Sequence, residues 1–261
     1  MIRPDIYADS RLDRDHGLIC HGVALKLPSD ATIAGPSAAY LLGVEHAAGY
    51  GDPLHIAVPG KRVPPRIRGV RAHAVDLMPS ETVERGELRH TSAVRTAWDV
   101  AQWIDVVPAV TTIDGLLRGG GLRPEQFGAF VQAREGDRGW RRAARVASLA
   151  DGGAQSPPES QLRVKLVLEG FPPPVTQFPV PIPGGHVLHP DLAWPEYQVA
   201  AEYDGRWHGE DDRLDLDRDR LNDLVKAGWL VIHVTSRGLY RTFPKIVGDL
   251  RAALMERGWR P

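Results

Sequence analysis

A short apolar run that ends in acid constrains this chain more than any other feature. Val199–Ala200–Ala201 leads without a break into Glu202–Tyr203–Asp204, and His189–Pro190–Asp191 lies just upstream. The two stretches read as strands separated by a Pro-containing turn, that is, as a β-hairpin. Carboxylates at the end of an apolar strand are costly to desolvate unless something cationic pairs with them. A divalent metal ion is the simplest such partner. With Pro195–Glu196 as a two-residue turn, Asp191 faces Ala200, and Glu202 and Asp204 share that face by the period-two alternation. Asp191 and Glu202 are then diagonal neighbours, with β-carbons ~7–8 Å apart. From there two carboxylates can lean onto one ion at the ~2.0–2.6 Å distances of hard divalent cations, and Ala200 leaves room for it.

The surrounding pattern predicts an α/β domain over residues 158–261. Glu159–Leu168 has the apolar spacing of a buried helix and closes at Gly170. Val175–Ile182, Val187–Trp194 and Gln198–Asp204 follow as three strands, with Pro, Gly and Glu between them. Arg213–Ala227 carries leucines at 214, 221 and 224 on one helical face and stops at Gly228. Trp229–Thr235 is an unbroken apolar run, expected as a buried central strand, and Phe243–Arg257 is a last amphipathic helix. The expected architecture is a four-stranded mixed sheet flanked by helices on both faces.

The first half, residues 1–150, reads as a separate mixed α/β domain, with 151–157 (Asp151–Gly152–Gly153–Ala154–Gln155–Ser156–Pro157) as a small, polar linker. Ser37 after Pro36 is expected to cap a short helix through Leu42. Leu54–Val58 and Val70–Val75 are expected strands, and helices are expected from Thr91, over Val107–Leu117 and over Pro124–Ala133. No apolar run approaches the ~20 residues of a membrane span, and the amino terminus lacks the apolar core of a secretion signal. A cytoplasmic protein without membrane attachment is therefore expected. One cysteine, Cys20, excludes an internal disulfide framework and a multi-cysteine zinc site. A net charge of −1 is neutral on nucleic acid, since a basic groove can sit beside an acidic cluster. Arginine greatly outnumbers lysine, a bias that GC-rich coding explains as readily as phosphate binding does.

Pro190–Asp191, ten intervening residues and Glu202–Tyr203–Asp204 resemble the PD-(D/E)xK nuclease motif. The element order resembles the core of that superfamily, a restriction-endonuclease-like fold. More narrowly, Glu159 at a helix head, Glu202–x–Asp204–Gly205–x–x–His208 and Asp217–x–x–Arg220–x–x–x–Leu224–x–x–x–Gly228–Trp229 resemble uncharacterised relatives of the very-short-patch repair endonuclease. The resemblance covers residues 158–240. It implies Asp191 and Glu202 as ligands of Mg²⁺ or Mn²⁺, Glu159 as an accessory acid, Asp204 and His208 as the groups that orient or activate water, and Asp217 and Arg220 near the site or the phosphates. The superfamily's lysine two residues beyond the second acid is Asp204 here, so Lys165 or Arg220 is a candidate to replace it. His233 stands where those relatives usually carry arginine.

Ser37–Ala38–Ala39–x–Leu41–Leu42–Gly43, Leu54–Val58 and Thr91–Ser92–x–x–Arg95–Thr96–x–x–Asp99 resemble, over residues 31–121, the carboxy-terminal part of AbiEi-type antitoxin and regulator proteins. Those proteins usually begin with a winged helix-turn-helix. The thirty residues before Ala31 are too short and too aperiodic to hold one, which points to a lost DNA-reading head or a late start. Three functions follow as expectations. The first is a metal-dependent DNA endonuclease. The second is a DNA-binding regulator or antitoxin with a nuclease-like scaffold. The third is a protein-binding module of a defence or toxin–antitoxin locus. Arg62 and Arg66, with Lys61 and Arg68, and Arg141 and Arg142, with Arg138 and Arg145, are the candidate phosphate contacts. The structural alternative makes Asp191 and Glu202 ordinary strand-end acids paired with Arg206 and Arg220, Glu210–Asp211–Asp212 a solvated helix start, and Trp194 and Trp229 core residues.

Overall fold

The structure is a computed structural model that describes residues 6–60, 67–182, 185–205 and 222–261. The chain divides into two units, Met1–Gly152 and Gly153–Pro261. The polar stretch at the division is not a free tether. The Asp151 amide donates to Asp114 Oδ1 at 2.7 Å within the first unit, and the Gln155 amide donates to Glu159 Oε2 at 2.8 Å within the second.

In the first unit, β1 (Thr32–Ile33), β2 (Leu54–Val58), β3 (Val70–Ala74), β4 (Thr82–Arg85) and β5 (Leu88–Thr91) form a sheet in the order β3-β2-β1-β5-β4. Every residue of β2 is buried, as a strand covered on both faces requires. Six helices accompany the sheet: α1 (His16–Ala24), α2 (Gly35–Leu41), α3 (Ala93–Trp103), α4 (Val106–Arg118), α5 (Pro124–Gln132) and α6 (Trp140–Leu149). Ser37 does not cap α2. The helix begins at Gly35–Pro36, where Gly35 takes φ +53° and a β-carbon would fall 2.7 Å from the Trp103 ring, so only glycine fits. Ser37 is instead buried: its Oγ accepts from the His55 amide at 2.9 Å and bonds His16 Nε2 at 2.8 Å.

The second unit holds a mixed sheet of four strands in the order β11-β10-β9-β6: β6 (Val175–Thr176), β9 (Leu192–Trp194), β10 (Val199–Asp204) and β11 (Leu230–Thr235). β10 and β11 are parallel and the other pairs antiparallel. Two of the expected strands are broken. Val175–Ile182 becomes β6 and β7 (Val180–Pro181) because Gln177 turns the chain at φ +51°, and Val187–Trp194 becomes β8 (Val187–Leu188) and β9 on either side of Pro190; β7 and β8 pair as a separate ribbon. β11 lies at the sheet's edge among the described residues, not at its centre.

Alternation along β9 and β10 separates two cores. Leu192, Trp194, Val199 and Ala201 pack with Leu162 and Leu166 of helix α7 (Pro157–Leu168), and with Leu250 and Leu254 of the last helix, Phe243–Glu256. Ala193 and Ala200 pack on the other face with Val180, Ile182, Leu224 and Trp229. Ser156 caps α7, and Gly170 closes it at φ +87°. No described helix is long and apolar enough to cross a membrane.

Candidate functional site

The hairpin between β9 and β10 turns through four residues, not two. Pro195–Tyr197 form a 3₁₀ turn and Gln198 adopts the left-handed conformation. Val199 therefore opposes Trp194, Ala200 opposes Ala193 and Ala201 opposes Leu192. The expected pairing of Asp191 with Ala200 is thus corrected. The pairing ends at Ala201 opposite Leu192; alternation gives Asp191 the parity of Ala193 and Glu202 that of Ala200, and the Tyr203 amide bonds the Asp191 carboxylate at 2.8 Å, so the two acids lie at the same end of the hairpin.

Neighbouring strands flank this end. Glu202 is in register with His233 of β11, and Asp204 with Thr235. On the other side the Gln177 amide donates to the Asp191 carbonyl at 3.3 Å, just past the end of β6. Gln177, Asp191, Glu202 and His233 thus lie at one end of the sheet. The Asp191 carboxylate accepts from the Tyr203 amide at Oδ2 (2.8 Å) and from Gln177 Nε2 at Oδ1 (3.4 Å). Asp191 and Glu202 are half-buried, whereas Asp204 at the strand end is exposed.

Glu159 is buried in the first turn of α7. Ser156 Oγ donates to its Oε1 at 2.7 Å and the Gln155 amide to its Oε2, so both oxygens serve the helix start. Among the described residues, no group of three or more His, Cys, Asp or Glu side chains is placed to share a metal ion. The sheet therefore brings together Asp191 and Glu202, but it does not bring Glu159 and Asp204 to them as further ligands. Two carboxylates suffice for Mg²⁺, which usually keeps several waters and binds through one or two of them. Lys165 does not take the missing lysine's place: its ammonium donates to the Leu239 carbonyl at 3.1 Å and lies 4.9 Å from the Phe243 ring, against the opposite core. His208, Asp217 and Arg220 lie outside the described residues, as do Arg62 and Arg66.

The first unit holds charged groups of another kind. Arg95 donates to Asp99 Oδ1 at 2.9 Å and to Glu81 Oε2 at 2.8 Å, and Arg134 pairs with Glu81 while lying over the Phe130 ring. Thr91 and Thr96 join hydroxyls at 2.7 Å. The Thr91–Asp99 pattern is therefore a stitch between β5 and α3. Burial pushes the Asp99 carboxyl up to about 7, against the pull of Arg95, and leaves its Oδ2 without a hydrogen-bond partner among the described residues. The network floors a cleft of about 740 Å³ whose lip carries Arg138 and Arg142. Its wall is His73, stacked on Trp103 with centroids 3.5 Å apart. Burial lowers His73, and burial with the neighbouring His73 lowers His55, each to about 4. Arg142 donates to the Ile104 carbonyl, whereas Arg141 is exposed and lies 5.5 Å from the Trp140 ring. Sequence reasoning missed this cleft, which draws on residues from 73 to 142, and it missed Gln177, which carries no motif.

No protein-family model matches the chain, and no solved structure matches it. Two proteins of Mycobacterium tuberculosis are similar to it: "Uncharacterized protein MT2308" of strain CDC 1551 / Oshkosh and "Uncharacterized protein Rv2248" of strain ATCC 25618 / H37Rv. Each is 30% identical over 182 residues, which is 69% of this chain and 66% of the relative. The chain thus spans just under two thirds of the length of the curated relatives it matches.

Proposed function

We propose that the second unit is a DNA endonuclease of the restriction-endonuclease-like class that hydrolyses phosphodiesters with Mg²⁺ or Mn²⁺. The observation that carries this reading is that β9 and β10 pair as far as Leu192 opposite Ala201, after which the Asp191 carboxylate bonds the Tyr203 amide at 2.8 Å, next to Glu202, at the end of a four-stranded mixed sheet. Two like charges held side by side are destabilising alone and become favourable around a divalent cation. Asp191 and Glu202 would hold the ion, which would supply Lewis acidity at the scissile phosphate and lower the pKa of a bound water.

The chain's own groups have distinct parts. The Tyr203 amide and the Gln177 side chain hold the Asp191 carboxylate in one orientation. Asp204, exposed at the end of β10, orients the attacking water, and His208, four residues on, takes its proton. Arg220 is assigned the contact with the phosphate. Arg62, Arg66, Arg141 and Arg142 contribute sequence-independent contacts to the DNA backbone. The physiological setting in this reading is a cytoplasmic repair, phage-defence or toxin–antitoxin role, with a protein partner from the same locus. Incubation of supercoiled plasmid and oligonucleotides with Mg²⁺, Mn²⁺ or EDTA tests the reading: metal-dependent cleavage is expected, abolished in Asp191→Ala.

One observation favours a second reading. Position 204 is aspartate and Lys165 is engaged on the opposite core, so no described lysine stands in for the superfamily's. A DNA-binding regulator or antitoxin with a nuclease-like scaffold binds DNA but cleaves it under no metal.

A further inference from the structure

We infer that Gln177 is a positioning residue that presets Asp191 for a divalent cation; this rests on the metal-site reading above. Gln177 is one of two described non-glycine residues in the left-handed region, at φ +51°. The other, Gln198, is accounted for by the β9–β10 hairpin turn. At 177 the backbone also turns, ending β6, but glycine makes that turn without steric cost. What needs explaining is the side chain.

Both ends of that side chain are used. Nε2 donates to Asp191 Oδ1 at 3.4 Å, reinforcing the 3.3 Å bond from the Gln177 amide to the Asp191 carbonyl. Oε1 accepts from Gln155 Nε2 at 3.1 Å, and the Gln155 amide in turn donates to the buried Glu159. A chain of hydrogen bonds thus runs from the head of α7 through two glutamines to the acid beside Glu202. With the Tyr203 amide on Oδ2, both Asp191 oxygens accept from neutral donors that fix the carboxylate's orientation. A strained backbone is retained where the side chain it carries has a task, and outer partners of a metal ligand set its orientation.

Mn²⁺ binding to the full chain, with the site defined as the Mn²⁺ bound by wild type and lost in Asp191→Ala, tests the inference alongside melting in EDTA. Gln177→Gly keeps the turn, relieves the strain and deletes both side-chain bonds. It is expected to weaken Mn²⁺ binding ~10–100-fold while melting no lower than Gln177→Ala, which retains the strain. Gln155→Ala, at an exposed position, is expected to weaken Mn²⁺ binding less, in the same direction, and it serves if the Gln177 variants do not fold. Unchanged Mn²⁺ affinity in Gln177→Gly, or in Gln155→Ala where the former is unfolded, overturns the inference and leaves the metal site standing. Equal Mn²⁺ binding by wild type and Asp191→Ala removes the metal site, and the inference with it.

Discussion

The two units handle buried carboxylates in opposite ways. In the first, Glu81 and Asp99 are almost fully enclosed, and Arg95 and Arg134 lie directly on them. In the second, Asp191 and Glu202 are half-exposed beside one another at the end of the β9–β10 pairing, and the Asp191 carboxylate takes hydrogen bonds from the Tyr203 amide and the Gln177 side chain. An acid matched to arginine in the interior is a fastening. Two acids side by side at a sheet's accessible end are, on the proposed reading, the place where a cation would be held. The two pairs differ in depth and in the partners the described residues bring to them.

The largest effect expected from this contrast is in the first unit. Arg95→Ala leaves Glu81 and Asp99 buried beside one remaining guanidinium, and removal of one partner from a buried pair costs about 3–5 kcal/mol. Urea denaturation followed by tryptophan fluorescence should show the first unit's transition moving sharply to lower urea. A shift below about 1 kcal/mol would place the network among surface pairs. The same change in the second unit has the opposite sign. On the metal-site reading, Asp191→Ala or Glu202→Ala is expected to be neutral or to stabilise by about 0.2–1 kcal/mol in EDTA, because a like-charged neighbour is removed. Melting well below wild type in EDTA would make these acids structural partners of cations, as in the first unit.

Titration sharpens the contrast further. His55 and His73 are lowered to about 4, so their stabilising contribution is complete above the ordinary histidine value of 6.5 and is lost as pH falls through 4. Asp99 is raised from 3.8 to about 7, so its contribution is complete below 3.8 and is lost as pH rises through 7. On acidification from 7 to 4 the two terms oppose one another. Asp99→Asn removes the gain and keeps the loss, so its stability should fall more steeply than that of wild type over this window. Parallel pH profiles would contradict the buried, raised state of Asp99.

The smallest effect concerns Arg141, exposed on α6. Arg141→Ala should change stability by less than about 0.5 kcal/mol and lower the salt dependence of DNA binding by ~0.9 in the logarithmic slope, as one lost phosphate contact requires. An unchanged slope in a fluorescence-anisotropy salt series would remove Arg141 from the DNA interface.

What the sequence disclosed followed from long, regular patterns. Glu159–Leu168, Phe243–Arg257 and α2 to α5 of the first half were legible because apolar periodicity and Pro or Gly ends agree, whereas α1 (His16–Ala24), in a stretch read as aperiodic, and α6 (Trp140–Leu149) were not expected. The strands were harder because backbone singularities divide them. Nothing in Thr176–Gln177–Phe178 announces a left-handed glutamine, and a glutamine at 198 rather than Gly or Asn concealed the four-residue turn. That turn changed the register beside Asp191 but not which face it occupies, since slipping the turn by two residues preserves the alternation. The shared parity of Asp191 and Glu202 was therefore legible and the partners of Asp191 were not: Gln177 reaches Asp191 only through a register that tertiary pairing decides. In the first half, the Thr91–Asp99 pattern was visible as a motif, but its meaning as a buried ionic stitch required Glu81 and Arg134 from elsewhere in the chain.

Cleavage of supercoiled plasmid by the full chain tests the central claim most directly, with wild type and the Asp191→Ala/Glu202→Ala double variant compared in Mg²⁺, Mn²⁺ and EDTA. The neighbouring carboxylates predict nicked or linear product from wild type in at least one metal, none in EDTA and none from the double variant in any condition. Intact plasmid with wild type in every metal, or equal cleavage by the double variant, would contradict the account.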